Sequence, residues 1–167
     1  VDPLSFTIDP AQIEAKITLR TKAIMPVHLY GQSADMDAIM AIAHKHKLWV
    51  IEDCAHTMGA TWRGVASGRH GAVGCYSTQT YKHMNSGEGG FLVTDDAGLA
   101  ARAVLLSGSY MLYARHRAAP GPEVFEALKL DIPNVSSRMD NLRAAILRPQ
   151  LRVLGDRVAR WAALYRN

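Results

Sequence analysis

Short, almost unbroken apolar runs recur along this chain, separated by segments of helical period or by turn residues. Ala23-Ile24-Met25-Pro26-Val27, Leu48-Trp49-Val50-Ile51, Gly71-Ala72-Val73-Gly74-Cys75-Tyr76-Ser77 and Gly90-Phe91-Leu92-Val93-Thr94 each have the length of one strand. Strands that are apolar on both faces belong to covered sheets, which are built mostly from parallel strand–helix–strand units. Between the first two runs, Met36, Ile39, Met40 and Ala43 recur at helical spacing after Asp35. That pattern is one face of an amphipathic helix. His44, Lys45, His46 and Lys47 follow at its C-terminal end, where the macrodipole favours positive charge. The pattern predicts an α/β fold: a mostly parallel sheet with helices on both faces.

Other segments are read the same way. Asp9-Pro10 resembles a cap and first helical residue, opening a short helix through about Lys16 with Ile13 inside. A helix is expected from Ala97 to Leu106, a loop over Ala118 to Pro122, and a long helix or pair from about Met139 to Tyr165. Tyr110, Met111, Leu112 and Tyr113 show no period, so a partner subunit or a missing domain is expected to cover them.

Composition removes several classes of protein. The 167 residues fit one domain, and 49% apolar with 20% charged residues excludes disorder. Lys and Arg exceed Asp and Glu by 19 to 15, mostly through Arg138 to Arg166, without the clustered basic and aromatic residues of a nucleic-acid surface. Cys54 and Cys75 lie in apolar runs and read as buried free thiols of a reducing compartment. No apolar stretch is long enough for a membrane span and no secretory leader is visible, which points to the cytoplasm. Without an initiator Met, the chain reads as the middle of something longer.

In parallel sheets, ligands bind beyond the carboxyl ends of the strands. His28 follows the first run, Asp53 and then His56 the second, and Ser77 and then Lys82 the third. Gly87, Gly89 and Gly90 form a turn that lets backbone pass close to a ligand. A lysine at a covered strand end is costly to keep charged, and a desolvated lysine is a nucleophile able to form a Schiff base. A carboxylate at the neighbouring strand end is what a pyridoxal phosphate ring requires to keep its nitrogen protonated. Each residue also has an ordinary reading: Lys82 as a solvated charge, Asp53 as a cap, the histidines as hydrogen-bonded structural groups. Spacing alone gives an α/β enzyme of unassigned chemistry.

Taken together, Pro26 to Gly31, Ile51 to His56, and Ser77 through Lys82 to Gly90 resemble the DegT/StrS family of sugar and aminocyclitol aminotransferases. Arg138-Met139 and the Leu142 to Ile146 segment fit as well. The resemblance implies pyridoxal 5′-phosphate (PLP) as cofactor and a fold-type-I large domain over residues 1–150. Residues 151–167 would begin the helix leading to an absent C-terminal small domain. It further implies that Lys82 is the catalytic Schiff-base lysine and proton shuttle, that Asp53 pairs with the pyridinium nitrogen, and that His56 lies beside the ring and its 3-oxygen. Ser77 would bind the phosphate, while His28, Tyr30 and His83 would stand on the substrate side. The implied reaction moves an amino group from glutamate or glutamine to a nucleotide-linked keto-sugar or a keto-cyclitol, in a homodimer with two-fold shared sites. No metal is assigned, because a site built from His28, Asp53 and His56 would leave Ser77 and Lys82 unexplained.

The sequence departs from the family pattern in three ways. His83 stands where Asn is usual, and Ser136 where another Asn is common, with Asn134 nearby but out of register. Family chains also extend further at both ends. Two alternatives remain: a non-catalytic homologue acting as a binding module, and a PLP-dependent sugar dehydratase, against which Lys82 argues because those relatives carry His at its position.

Overall fold

The computed structural model describes residues 1–108 and 112–166, except the side chains of Ala114 and Arg166. Its main sheet has four strands in the order β1-β2-β5-β6, where β1 is Ala23–Ile24, β2 Trp49–Asp53, β5 Val73–Ser77 and β6 Gly90–Val93. The first three are parallel, and β6 runs antiparallel beside β5, with Tyr76 opposite Phe91 and Ser77 opposite Gly90. β1 and β2 are parallel because α1 (Met36–His46) crosses over between them, and β2 and β5 are parallel through the longer, non-helical connection of residues 54–72. β6 reverses direction because the loop after β5 folds back on itself, with Thr78 bonded to Gly89 and Thr80 to Gly87.

Helix α1 forms where its periodicity predicts. The Asp35 side chain accepts from the Ala38 N–H at 3.1 Å, and Lys47 ends the helix in the left-handed region at φ 54°, its N–H bonded to the Ala43 and His44 carbonyls. Met36, Ile39 and Ala43 are buried against Ile13, Ile24, Ala34 and Val50. This cluster covers the sheet face that carries Ile24 and Val50. On the other face, Met25, Trp49, Cys75 and Leu92 are exposed among the described residues. Cys75 is therefore not the buried thiol that its apolar run predicts. Cys54 is fully buried, and desolvation followed by the nearby Glu52 charge pushes its thiol up to about 12.

Other departures have local causes. Residues 10–16 form two short 3₁₀ turns rather than one helix, with Ile13 between them and tucked into the core. A small antiparallel hairpin, β3 (Thr61–Trp62) and β4 (Val65–Ala66), turns through Arg63 and Gly64, both at positive φ. Helix α2 is Ala97–Ser107, capped by Asp96. Pro122, read as loop, instead opens the short helix α3 (Pro122–Glu126) at a position where its missing N–H costs nothing. Tyr113 stacks on the buried Phe125 with ring centroids 4.2 Å apart, so part of the 110–113 cluster is satisfied within the chain rather than by a partner. Leu112 is exposed, and Tyr110 and Met111 lie outside the described residues. The C-terminal segment is a helix pair, α4 (Asn141–Arg152) and α5 (Leu154–Arg166), broken at Val153. No helix among the described residues is long and apolar enough to cross a membrane.

Candidate active site

The last two residues of β2 are both carboxylates, and strand alternation sends them to opposite faces. Glu52 points inward and is fully buried. Its Oε1 accepts from the His70 and Gly71 N–H groups at 2.8 and 2.7 Å, and its Oε2 from the Gly68 N–H at 2.7 Å and from His28 Nε2 at 3.0 Å. Burial pushes this carboxyl up, but the bonds from His28 and the three backbone amides outweigh it and hold the group below the ordinary carboxylate range. His28 is also fully buried, and its Nδ1 faces the Ala34 N–H at 3.1 Å. A donor at Nδ1 requires the lone pair there, so the ring proton sits on Nε2 and is given to Glu52.

Asp53 faces the other way. Its Oδ1 accepts from the Ala55 N–H at 3.0 Å, and Oδ2 has no hydrogen-bond partner among the described residues. Its backbone is fixed on both sides: the Asp53 N–H donates to Pro26 and the His28 N–H to Asp53, at 2.9 and 3.0 Å. The carboxylate opens onto a cleft of about 220 Å³ lined by Met25, Ile51, Ala55, Cys75, Tyr76 and Ser77. Ser77, on the neighbouring strand, accepts from the Gln79 N–H at 3.2 Å through Oγ and keeps its own proton to donate. The cleft thus lies at the carboxyl ends of two adjacent parallel strands. It has an apolar floor, an ionisable group at one point and a hydroxyl donor at another.

Lys82 is half-buried in the loop that connects β5 to β6. The loop is laced at its base, where the Thr78 N–H donates to Gly89 and the Thr80 N–H to Gly87, both at 2.9 Å. Gly89, at φ 127°, admits no side chain there, because a Cβ would meet Thr78 Oγ1 at 2.9 Å. His83 follows Lys82 with its ring edge-on to Trp161 of α5, centroids 5.0 Å apart. Burial lowers the His83 pKa, and the nearby His56 and Lys82 lower it further. His56 stacks on the exposed Tyr30 at 5.7 Å, and its Nδ1 accepts from the Tyr30 N–H at 3.5 Å.

The expected site residues divide into two neighbourhoods. Asp53 and Ser77 line one cleft, while His56 and Lys82 each lie near enough to His83 to lower its pKa, with Tyr30 stacked on His56. His28 lies behind Asp53, in the interior. His28, Glu52 and Cys54 place ligand-type atoms within 4.8 Å of one another, yet both Glu52 oxygens are already fully bonded to protein donors.

The model of the DegT/DnrJ/EryC1/StrS aminotransferases matches residues 1–166. The chain belongs to this family. Among its relatives in the DegT/DnrJ/EryC1/StrS aminotransferases, the L-glutamine:scyllo-inosose aminotransferase of Streptomyces griseus is 44% identical over 96% of this chain and 38% of its own length. GDP-perosamine synthase of Caulobacter vibrioides is 44% identical over 95% of this chain and 40% of its own. The solved aminotransferase from Psychrobacter cryohalolentis superposes with a TM-score of 0.80 at 36% identity, covering 93% of this chain and 40% of that one. The chain spans about two-fifths of the length of these relatives.

For a DegT/DnrJ/EryC1/StrS aminotransferase the implied cofactor is PLP, and the donor set of the cleft fits it. An unpaired carboxylate oxygen, a free hydroxyl proton and an apolar floor suit a cationic ring nitrogen, a phosphate and a flat ring. At about 220 Å³ the cleft is smaller than the roughly 300–1,000 Å³ typical of ligand sites. Sequence reasoning gave Glu52 no role. Period-2 alternation through Val50, Ile51, Glu52 and Asp53 carried the signal, since it puts Glu52 on the same side as the buried Val50.

Proposed function

We propose that the protein is a PLP-dependent aminotransferase that moves an amino group from glutamate or glutamine to a nucleotide-linked keto-sugar or a keto-cyclitol. What carries this reading is the pairing of Asp53 and Ser77 across one cleft at adjacent parallel strand ends, with the Lys82 loop leaving directly from the strand that bears Ser77. The bound cofactor supplies an electron sink, a cationic ring that absorbs charge from the substrate carbon. Asp53 Oδ2, the carboxylate oxygen without a protein partner, holds the proton on the ring nitrogen. Ser77 Oγ–H donates to the phosphate. Lys82 Nζ would hold the cofactor and would take and return the proton at the substrate carbon. His56, steadied by Tyr30, flanks the ring and its 3-oxygen.

Tyr30 and His83 stand on the substrate side, and His28 supports Tyr30 from within by tying the loop after β1 to β2. Residues 1–150 belong to the cofactor-binding large domain in this reading, and residues 151–167 begin the passage to the small domain. The working enzyme is a cytoplasmic homodimer. The test is borohydride reduction of the full-length protein with PLP, followed by peptide mass analysis. Reduced cofactor should be found on Lys82 and be lost in Lys82→Ala, and label on another lysine would overturn the assignment.

A further inference from the structure

Each of the three residues that follow Lys82 is gripped by the α4–α5 helix pair. His83 meets the edge of Trp161 from α5. Met84 is buried in a cluster with Met58 and with Leu147 of α4. Asn85 is bound by Gln150 of α4 through both of its backbone groups: the Asn85 N–H donates to Gln150 Oε1 at 3.1 Å, and Gln150 Nε2 donates to the Asn85 carbonyl at 2.7 Å. Gln150 Nε2 also donates to the Ile146 carbonyl of its own helix at 3.0 Å. Both amide hydrogens and the amide oxygen are therefore used, which fixes the orientation of the carboxamide.

The two-way bond imitates a strand pair between a helix side chain and a loop 65 residues away. Met84 holds its place by shape, as buried apolar side chains do, and such contacts tolerate sliding. The Gln150 pair does not, because hydrogen bonds weaken steeply with distance and angle. From Asn85 the restraint continues toward Lys82, since Asn85 Nδ2 donates to the Lys82 carbonyl at 3.4 Å. At its other end the loop is laced to the sheet by the Thr78–Gly89 and Thr80–Gly87 bonds. Lys82 lies between that laced base and the Gln150 clamp.

We propose that Gln150 is a positioning residue for Lys82: its carboxamide sets where the lysine loop stands after β5, the strand that ends in Ser77. The inference rests on the reading of Lys82 as the cofactor-bearing lysine. A side chain that only stabilised the fold would, when removed, lower the melting temperature and leave the chemistry of Lys82 unchanged. One that positions the loop changes how readily Nζ meets the cofactor's carbonyl carbon. That step needs approach within near-contact distance, and small misplacements cost roughly tenfold to a hundredfold.

The experiment uses the full-length protein, with PLP itself as the probe. Gln150→Met keeps length and volume and removes all three hydrogen bonds, whereas Gln150→Glu keeps an acceptor for the Asn85 N–H but sets an anion against the Asn85 carbonyl. Three readouts are taken: the PLP concentration giving half-maximal borohydride labelling of Lys82, the pH midpoint of the visible band of the loaded protein, and the thermal midpoint. Both variants should raise the half-labelling concentration, Gln150→Met by roughly tenfold or more, and shift the pH midpoint. Gln150→Glu should approach wild-type labelling, compared at equal pH, as its carboxyl protonates and again donates to Asn85. Folded variants that label at wild-type concentration with an unshifted pH midpoint would overturn the proposal. Should Gln150→Met fail to fold, Gln150→Glu decides by the same readouts. A wild-type protein not labelled on Lys82 overturns the functional reading and this inference with it, and that outcome is told apart by the wild-type control alone.

Discussion

Glu52→Gln offers a sharp test of the interior network, because it keeps the shape of the side chain and changes only its hydrogen-bonding character. The carboxylate accepts from four donors, two at each oxygen. A carboxamide keeps one oxygen, which serves either the His70 and Gly71 amides or the Gly68 amide and His28. On the other side an NH₂ group faces two donors, and both are left unpaired. Moving the His28 proton to Nδ1 does not help, since it would then oppose the Ala34 N–H. Each buried unpaired donor costs about 1–3 kcal/mol, so the substitution should cost about 2–6 kcal/mol. That is a large share of the roughly 5–15 kcal/mol that holds a domain folded.

Urea unfolding of the full-length protein at neutral pH measures the loss as a lower midpoint at unchanged slope. The pH dependence has a definite sign. The Glu52 carboxyl titrates lower in the folded protein than its ordinary value of 4.5, so its stabilisation is complete above that value and is lost as pH falls through the lowered native one. The gap between wild type and variant should therefore narrow in acid. A loss below about 1 kcal/mol at neutral pH, less than one unpaired donor, would refute the network reasoning.

Asp53→Asn should leave folding intact and reduce transamination by orders of magnitude, as removal of an electrostatic stabiliser does. Steady-state turnover beside a circular-dichroism melt checks it, and near-normal turnover in a folded variant would remove Asp53 from the ring-nitrogen role. Sedimentation of the full-length, PLP-loaded protein should return a homodimer. An active monomer at micromolar concentration would refute the shared site.

The sheet was legible because its information is local: four apolar runs and one amphipathic helix suffice to order β1, α1, β2 and β5. The positions of Asp53 and Ser77 at neighbouring strand ends were legible for a related reason, since each closes an apolar run. The β3–β4 hairpin was not, because its turn places Arg63 at positive φ, and arginine carries no turn signal there as asparagine or aspartate would. The antiparallel course of β6 depends on the route of the connecting loop, which no residue pattern announces. Gln150 was invisible for the same kind of reason: its partner is backbone, and backbone groups leave no mark on composition. Cys75 was misread because an apolar run says that a strand wants cover, not which residues supply it.

The two neighbouring acids at the end of β2 also act as a check on assembly. A slip of one position along β1 or β5 would turn Asp53 toward the amides of residues 68–71, where its side chain is one methylene too short, and would swing Glu52 into the open cleft. Neither acid does the other's job: one needs reach and four donors, the other needs an unclaimed oxygen. The offset arrangement therefore loses the interior bonds and the open carboxylate of the cleft together. The strand can dock in phase, or it forfeits both.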